Sequence, residues 1–199
     1  MPTLLTAPPE IPAPAFPPRK RWTREQLAPL QAAGLFEIEK LELVDGELIS
    51  KMGKNRPHAN ASRRVLAYLQ QVFGKQFVDP EVPIDVSPAD NPRNEPEPDL
   101  VVLSRDADTI VSGNIQPQDI SLIVEIADSS LKFDLNVKAP LYARAGIPEY
   151  WVLDINNRRL ICHRDPQAGR YANVAEYSEH ETIAPLTAPE AFFTPAQAL

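Results

Sequence analysis

Residues 122–154 read LIVEIADSSLKFDLNVKAPLYARAGIPEYWVLD. The first five, Leu122 to Ile126, are apolar apart from Glu125. A short continuous apolar run marks a strand in the middle of a sheet covered on both faces, so a carboxylate inside it is unexpected. Asp128, Ser129 and Ser130 then offer a helix cap. The spacing predicts a helix from about Leu131 to Ala145, ending at Gly146 with Pro148 beyond. Pro140 lies inside that helix and predicts a kink, because it lacks the N–H that an interior turn uses. Glu149–Asp154 returns to strand character. A strand–helix–strand unit of this kind predicts two parallel strands joined by a right-handed crossover.

Working outward, Leu100-Val101-Val102-Leu103 is a second buried strand, preceded by a loop over 87–98 rich in Pro, Asn and Asp. Phe77 to Val86 is extended but broken by prolines, which predicts an edge strand with a bend. From His58 to Phe73 the positions Ala61, Val65, Leu66, Leu69 and Val72 recur at helical spacing, with Pro57 in the first turn and Gly74 at the end. Asp45-Gly46 between Leu41–Val44 and Glu47–Ile49 is a hairpin signal. Thr23-Arg24-Glu25-Gln26 has capping-box spacing and predicts a short helix ending near Gly34. Downstream, Asn156-Asn157 and Gln167-Ala168-Gly169 separate two further strands, Arg158–His163 and Arg170–Tyr177. The fold class expected is α/β: a mixed sheet flanked by helices, with an N-terminal hairpin and a C-terminal β-meander. Residues 1–21, with seven prolines, read as an extended or disordered tail, and 22–199 as one domain.

A single cysteine, Cys162, excludes an internal disulfide and a thiolate zinc cluster, and suits a reducing cytoplasm. No run reaches the roughly 18 apolar residues of a membrane span, and the N-terminus lacks a secretory pattern. The net charge of −7 argues against tight non-specific binding to nucleic acid, while leaving room for a local basic groove.

Asp99 immediately precedes one buried strand and Glu125 lies within the next. Buried carboxylates are usually paired or bound to metal, and two on neighbouring strands converge on one place. Oxygen donors of this kind suit Mg²⁺ or Mn²⁺, with the Ile126 carbonyl as a further ligand. Lys138 follows on the next helix, sharing a face with Asp134 and Tyr142 at intervals of four. An ammonium there would offset charge on a phosphate, and the helix face is expected to be exposed. Glu47 is the candidate for an additional acid from the hairpin, with Glu42 in its place if the register puts Glu47 outside. His58 opens a helix, where a cap or phosphate contact is conceivable. Plainer roles stand beside these: a strand-end turn for Asp99, a structural ion pair for Glu125, an i,i+4 surface pair with Asp134 for Lys138, packing for Tyr142, and exposed positions for Glu47 and His58.

Pro98-Asp99 followed by the Glu125 strand resembles the PD-(D/E)XK nuclease motif. The wider strings are more specific: Glu-Leu-Val-Asp-Gly-Glu-Leu (42–48), Glu-Pro-Asp-Leu-Val-Val-Leu (97–103), Leu-Ile-Val-Glu-Ile (122–126), and Lys138 with Tyr142 through Asp154. Together they resemble the restriction-endonuclease-like proteins long catalogued as a domain of unknown function, over about residues 22–195. The resemblance implies a restriction-endonuclease-like core and a metal-dependent endonuclease that hydrolyses phosphodiester bonds, in DNA. One position departs from the motif: two residues after the Glu, where the motif has Lys, stands Ala127. Lys138 matches the relocated lysine that members of this family carry on the next helix. Two readings follow, an Mg²⁺- or Mn²⁺-dependent endodeoxyribonuclease and a catalytically weak or inactive nuclease-fold binding module. A homodimer is expected, since cutting both strands of a duplex uses two sites.

Overall fold

The computed structural model describes residues 19–34, 40–51 and 55–199. The Pro-rich tail expected over 1–21 lies outside them up to residue 18. The elements run α1 (Arg24–Ala32), β1 (Leu41–Val44), β2 (Glu47–Ser50), α2 (Arg56–Phe73), β3 (Val78–Pro80), β4 (Leu100–Leu103), β5 (Ile120–Ala127), α3 (Leu131–Phe133), a π-helical turn (Asp134–Lys138), α4 (Ala139–Arg144), β6 (Glu149–Asp154), β7 (Arg159–Gln167) and β8 (Arg170–Ser178). Six strands form one mixed sheet in the order β3-β4-β5-β6-β7-β8, and β1-β2 is a separate hairpin. β5 and β6 pair parallel, whereas β3-β4, β4-β5, β6-β7 and β7-β8 pair antiparallel. This is the mixed, helix-flanked sheet expected of a restriction-endonuclease-like core.

The strands at 100–103 and 120–127 are buried at every residue because both faces of the sheet are covered. On one face Leu100, Val102, Leu122, Val124, Ile126, Trp151 and Leu153 pack with Ala61, Val65 and Leu69 of α2. On the other, Val101, Leu103, Ile123 and Val152 pack with Leu141, Tyr142 and Ala143 of α4. Full burial of side chains of this size stabilises by roughly 1.5–3 kcal/mol each. Alternation along a strand therefore settles where Asp99 and Glu125 lie. Leu100 pairs with Val124, so both acids belong to the α4 face.

Local signals explain the rest. Asp45 and Gly46 both have positive φ (48° and 73°), as the two-residue hairpin turn requires. A Cβ at Gly46 would also lie 3.0 Å from Arg21 Cβ and 3.1 Å from the Trp22 carbonyl oxygen. Asn55, not foreseen as a cap, accepts the His58 N–H and starts α2.

Two expectations change. The strand expected over Phe77–Val86 is only Val78–Pro80, at the sheet edge, because Pro80 has no N–H and Glu81 turns with φ 52°. The helix expected over 131–145, kinked at Pro140, contains a π-helical turn, in which the Ala139 N–H donates to the Asp134 carbonyl, five residues back. Pro140 cannot donate to the carbonyl four residues back and its ring crowds that position, so the preceding turn widens. Among the described residues no helix is long and apolar enough to cross a membrane.

Candidate active site

A cavity of about 140 Å³ opens over the α4 side of the central strands. Its lining includes Glu42 from β1, His58 from the first turn of α2, Asp99, Glu125 and Ile126, and Asp134 and Lys138 from the widened turn. Several separate segments therefore send ionisable groups to one place. Asp134 and Lys138 stand at the two ends of the π-helical turn, and both are buried.

Lys138 is the centre of the cluster. Its Nζ lies 2.8 Å from Glu125 Oε1 and 2.9 Å from Glu42 Oε1, and the lysine is only 3% exposed. The Phe133 ring lies 5.9 Å from the ammonium. Tyr142 donates its hydroxyl to the same Glu125 oxygen at 3.1 Å and stands edge-on to Tyr150. Glu42 accepts the Glu97 N–H on its second oxygen, which fixes the carboxylate. Asp99 is held differently: Oδ2 accepts the Ile126 N–H at 2.8 Å and lies 3.3 Å from His58 Nε2. Asp134 accepts the Ser130 hydroxyl.

The electrostatics follow from burial. Burial pushes the Glu125 carboxyl up to about 8; Lys138 opposes that rise, while Asp99, Asp134 and Glu42 add to it. Burial likewise raises Asp134 to about 6, against the pull of Lys138 and the Ser130 hydroxyl. For Lys138, burial alone would disfavour the charged form, but Glu125, Glu42 and Asp134 outweigh it and hold the ammonium well above its usual pKa. The lysine therefore stays charged. The acids around it exceed what one ammonium can balance, so near neutral pH they keep a proton among them.

The hairpin reverses the order of its two candidate acids. Glu42 enters the cavity, while Glu47 pairs with Arg21 at 3.2 Å. Both lie on one face of the hairpin, since Glu42 sits opposite Ile49 and Glu47 opposite Val44. Glu47 is next to the turn, about 7 Å further along the strand, too far to share the cavity. His58 is buried rather than exposed, and Lys138 is buried rather than on a solvent face. Asp134, read as no more than a surface partner for Lys138, lines the cavity; its four-residue spacing from Lys138 was the available signal.

The donor types suit a hard divalent cation, but their present arrangement does not. Among the described residues no three His, Cys, Asp or Glu side chains are spaced to hold a metal ion. The place between Glu42 and Glu125 is filled by the chain's own ammonium.

A family profile described as "Uma2: Putative restriction endonuclease" matches residues 25–196. Among solved structures, the chain is similar to one described as a putative nuclease belonging to DUF820 from Anabaena variabilis ATCC 29413. The two share 16% identity with a TM-score of 0.61, over 79% of this chain and 88% of that one. At that identity the likeness is one of fold. No curated protein matches.

Proposed function

Because the chain belongs to the Uma2 family, within the PD-(D/E)XK-like nucleases, we propose that it is a nuclease-fold module directed at nucleic acid. In the arrangement described it is catalytically weak or inactive, its acidic site being neutralised from within. The observation that carries this is the Lys138 ammonium, 2.8 Å from Glu125 and 2.9 Å from Glu42. A cation there already satisfies two of the acids that a metal would need. With Ala127 where the motif carries lysine, Lys138 is the ammonium between Glu42 and Glu125, while Lys51, also on the cavity wall, is turned to Glu97. With a net charge of −7, binding to nucleic acid should be modest and fall steeply with salt. A cytoplasmic location belongs to the same proposal, supported by the single buried cysteine.

A second reading, a metal-dependent endonuclease acting on DNA, is favoured by the convergence of Glu42, Asp99, Glu125 and Lys138 on one cavity. Asp99, Glu125 and the Ile126 carbonyl would hold Mg²⁺ or Mn²⁺, with Glu42 beside them. When bound, such an ion polarises a phosphoryl oxygen and acidifies a water. Lys138, released from Glu42, would offset charge growing on the phosphate. Tyr142 would keep Glu125 oriented.

Cleavage of supercoiled plasmid separates the two readings. With Mg²⁺ or Mn²⁺, wild type is expected to nick DNA no faster than Glu125→Ala. Labelled duplex should still bind at low salt and dissociate as salt rises. Metal-dependent nicking by wild type that falls about 10²–10³-fold in Asp99→Ala, Glu125→Ala and Lys138→Ala would establish the endonuclease instead.

A further inference from the structure

The two edges of the six-stranded sheet are unlike. At one edge β3 has three residues and ends on Pro80. Short edges and prolines keep other chains from pairing there. At the other edge β8 has nine residues, Arg170–Ser178, with no proline and no lysine. Residues Ala172 to Glu176 are exposed in succession, so neither face of the strand is covered there. Val174 is 57% exposed. Among the described residues, β8 from Arg170 to Tyr177 makes backbone hydrogen bonds to β7 alone. Every second N–H and C=O of an edge strand points away from its neighbour. At its end the strand is stopped, because the Ser178 N–H is taken by Glu181 at 2.8 Å.

We propose that β8 is the seam of a homodimer, pairing antiparallel with β8 of a second copy about a twofold axis at Asn173. The sequence of the strand selects both partner and register. Arg170-Tyr-Ala-Asn-Val-Ala-Glu176 is self-complementary when Asn173 faces its own copy. Arg170 then lies opposite Glu176 of the second chain, twice by symmetry, and Ala172 opposite Val174. Shifting the axis to Val174 would set Arg170 against Ser178 and Glu176 against Ala172, and lose both charge pairs. Opposite charges directly across strands are favourable, and like charges are not. Glu176 already meets Arg159 at 2.8 Å, so the incoming arginine would complete a three-membered network. Arg170 forms no ion pair of its own among the described residues. The Pro-rich first 18 residues are a poor occupant for this edge, since seven of their positions have no N–H to donate. The result is a continuous twelve-stranded sheet with an isologous interface.

Sedimentation of the full chain is expected to show a dimer at micromolar concentration. Asn173→Cys should form a disulfide-linked dimer on mild oxidation, because residue 173 meets itself. Ala172→Cys, also at an exposed position, should not. Cys162 is buried and gives no background. Arg170→Glu and Glu176→Arg should each raise the dimer dissociation constant by about tenfold or more, while a mixture of the two restores pairing through complementary charges. Far-UV circular dichroism of each variant confirms folding, which these exposed positions should not disturb. A wild type that stays monomeric at roughly 100 µM would overturn the proposal. So would a dimer in which Ala172→Cys cross-links as readily as Asn173→Cys, or in which mixing the charge variants restores nothing.

Discussion

Lys138→Met is expected to lower the unfolding free energy by about 3–5 kcal/mol at pH 8, the usual cost of removing one partner from a buried ion pair. An exposed helical lysine would cost a few tenths. The difference arises because Lys138 is 3% exposed and its ammonium is shared by Glu42 and Glu125. Without it, Glu42, Glu125 and Asp134 face one another in a site of low dielectric. Glu125 and Asp134 can escape only by holding protons, and burial already pushes Glu125 from 4.5 up to about 8 with the lysine present. A carboxylate whose folded pKa is raised favours the folded state fully below its unfolded pKa and loses that contribution as pH rises through the folded value. The loss in Lys138→Met should therefore be smallest near pH 5 and largest above pH 8. Urea denaturation of both proteins at the two pH values measures it. A loss under about 0.5 kcal/mol at pH 8 would place the lysine in solvent.

The second large effect lies away from the cavity. Glu149→Ala should cost about 3 kcal/mol, because Glu149 is fully buried and five donors, the Cys162 thiol at 3.7 Å among them, converge on it. Its Oε1 accepts from Trp151 Nε1 at 2.8 Å and from two nitrogens of Arg164 at 2.8 and 2.6 Å, and its Oε2 accepts the Leu186 N–H at 2.8 Å. The carboxylate thus ties β6 to β7 and to the C-terminal segment that brings Phe193 onto Trp151. Arg164 is partly exposed and can regain water, which keeps the cost at the lower end of the range. The Lys40–Glu81 pair is the contrast: the Lys40 side chain is 73% exposed, and Lys40→Ala should change stability by less than about 1 kcal/mol. Thermal or urea unfolding of the two variants side by side tests the comparison; equal losses would contradict it.

Patterns with short range were legible in the sequence. The continuous apolar strands, the Asp-Gly turn, the helix closed by Gly74 and the strand–helix–strand unit all appear in the structure, because each depends on neighbours within a few residues. The convergence of Asp99 and Glu125 on one face follows from the same alternation. What escaped needed longer-range information. Periodicity places Glu42 and Glu47 on the same hairpin face but does not say which end of that hairpin docks on the cavity. Pro140 signalled a disturbance, yet only the fold shows that the turn before it is π-helical and that Asp134 and Lys138 in that turn are buried. His58 looked like an exposed first-turn residue until Asn55 was seen to cap the helix and bring the ring to 3.3 Å from Asp99.

The Lys138 ammonium stands between Glu42 and Glu125, where two acids would otherwise be open to a metal. Calorimetric titration with Mn²⁺ near neutral pH tests it directly, using wild type, Lys138→Met and Lys138→Gln, the last keeping a donor for the two acids. Wild type should show no saturable site tighter than roughly millimolar, and Lys138→Met should bind about tenfold more tightly or better, a change of about 1.4 kcal/mol or more. A wild type that saturates at micromolar Mn²⁺, or lysine variants that bind no more tightly than wild type, would contradict it.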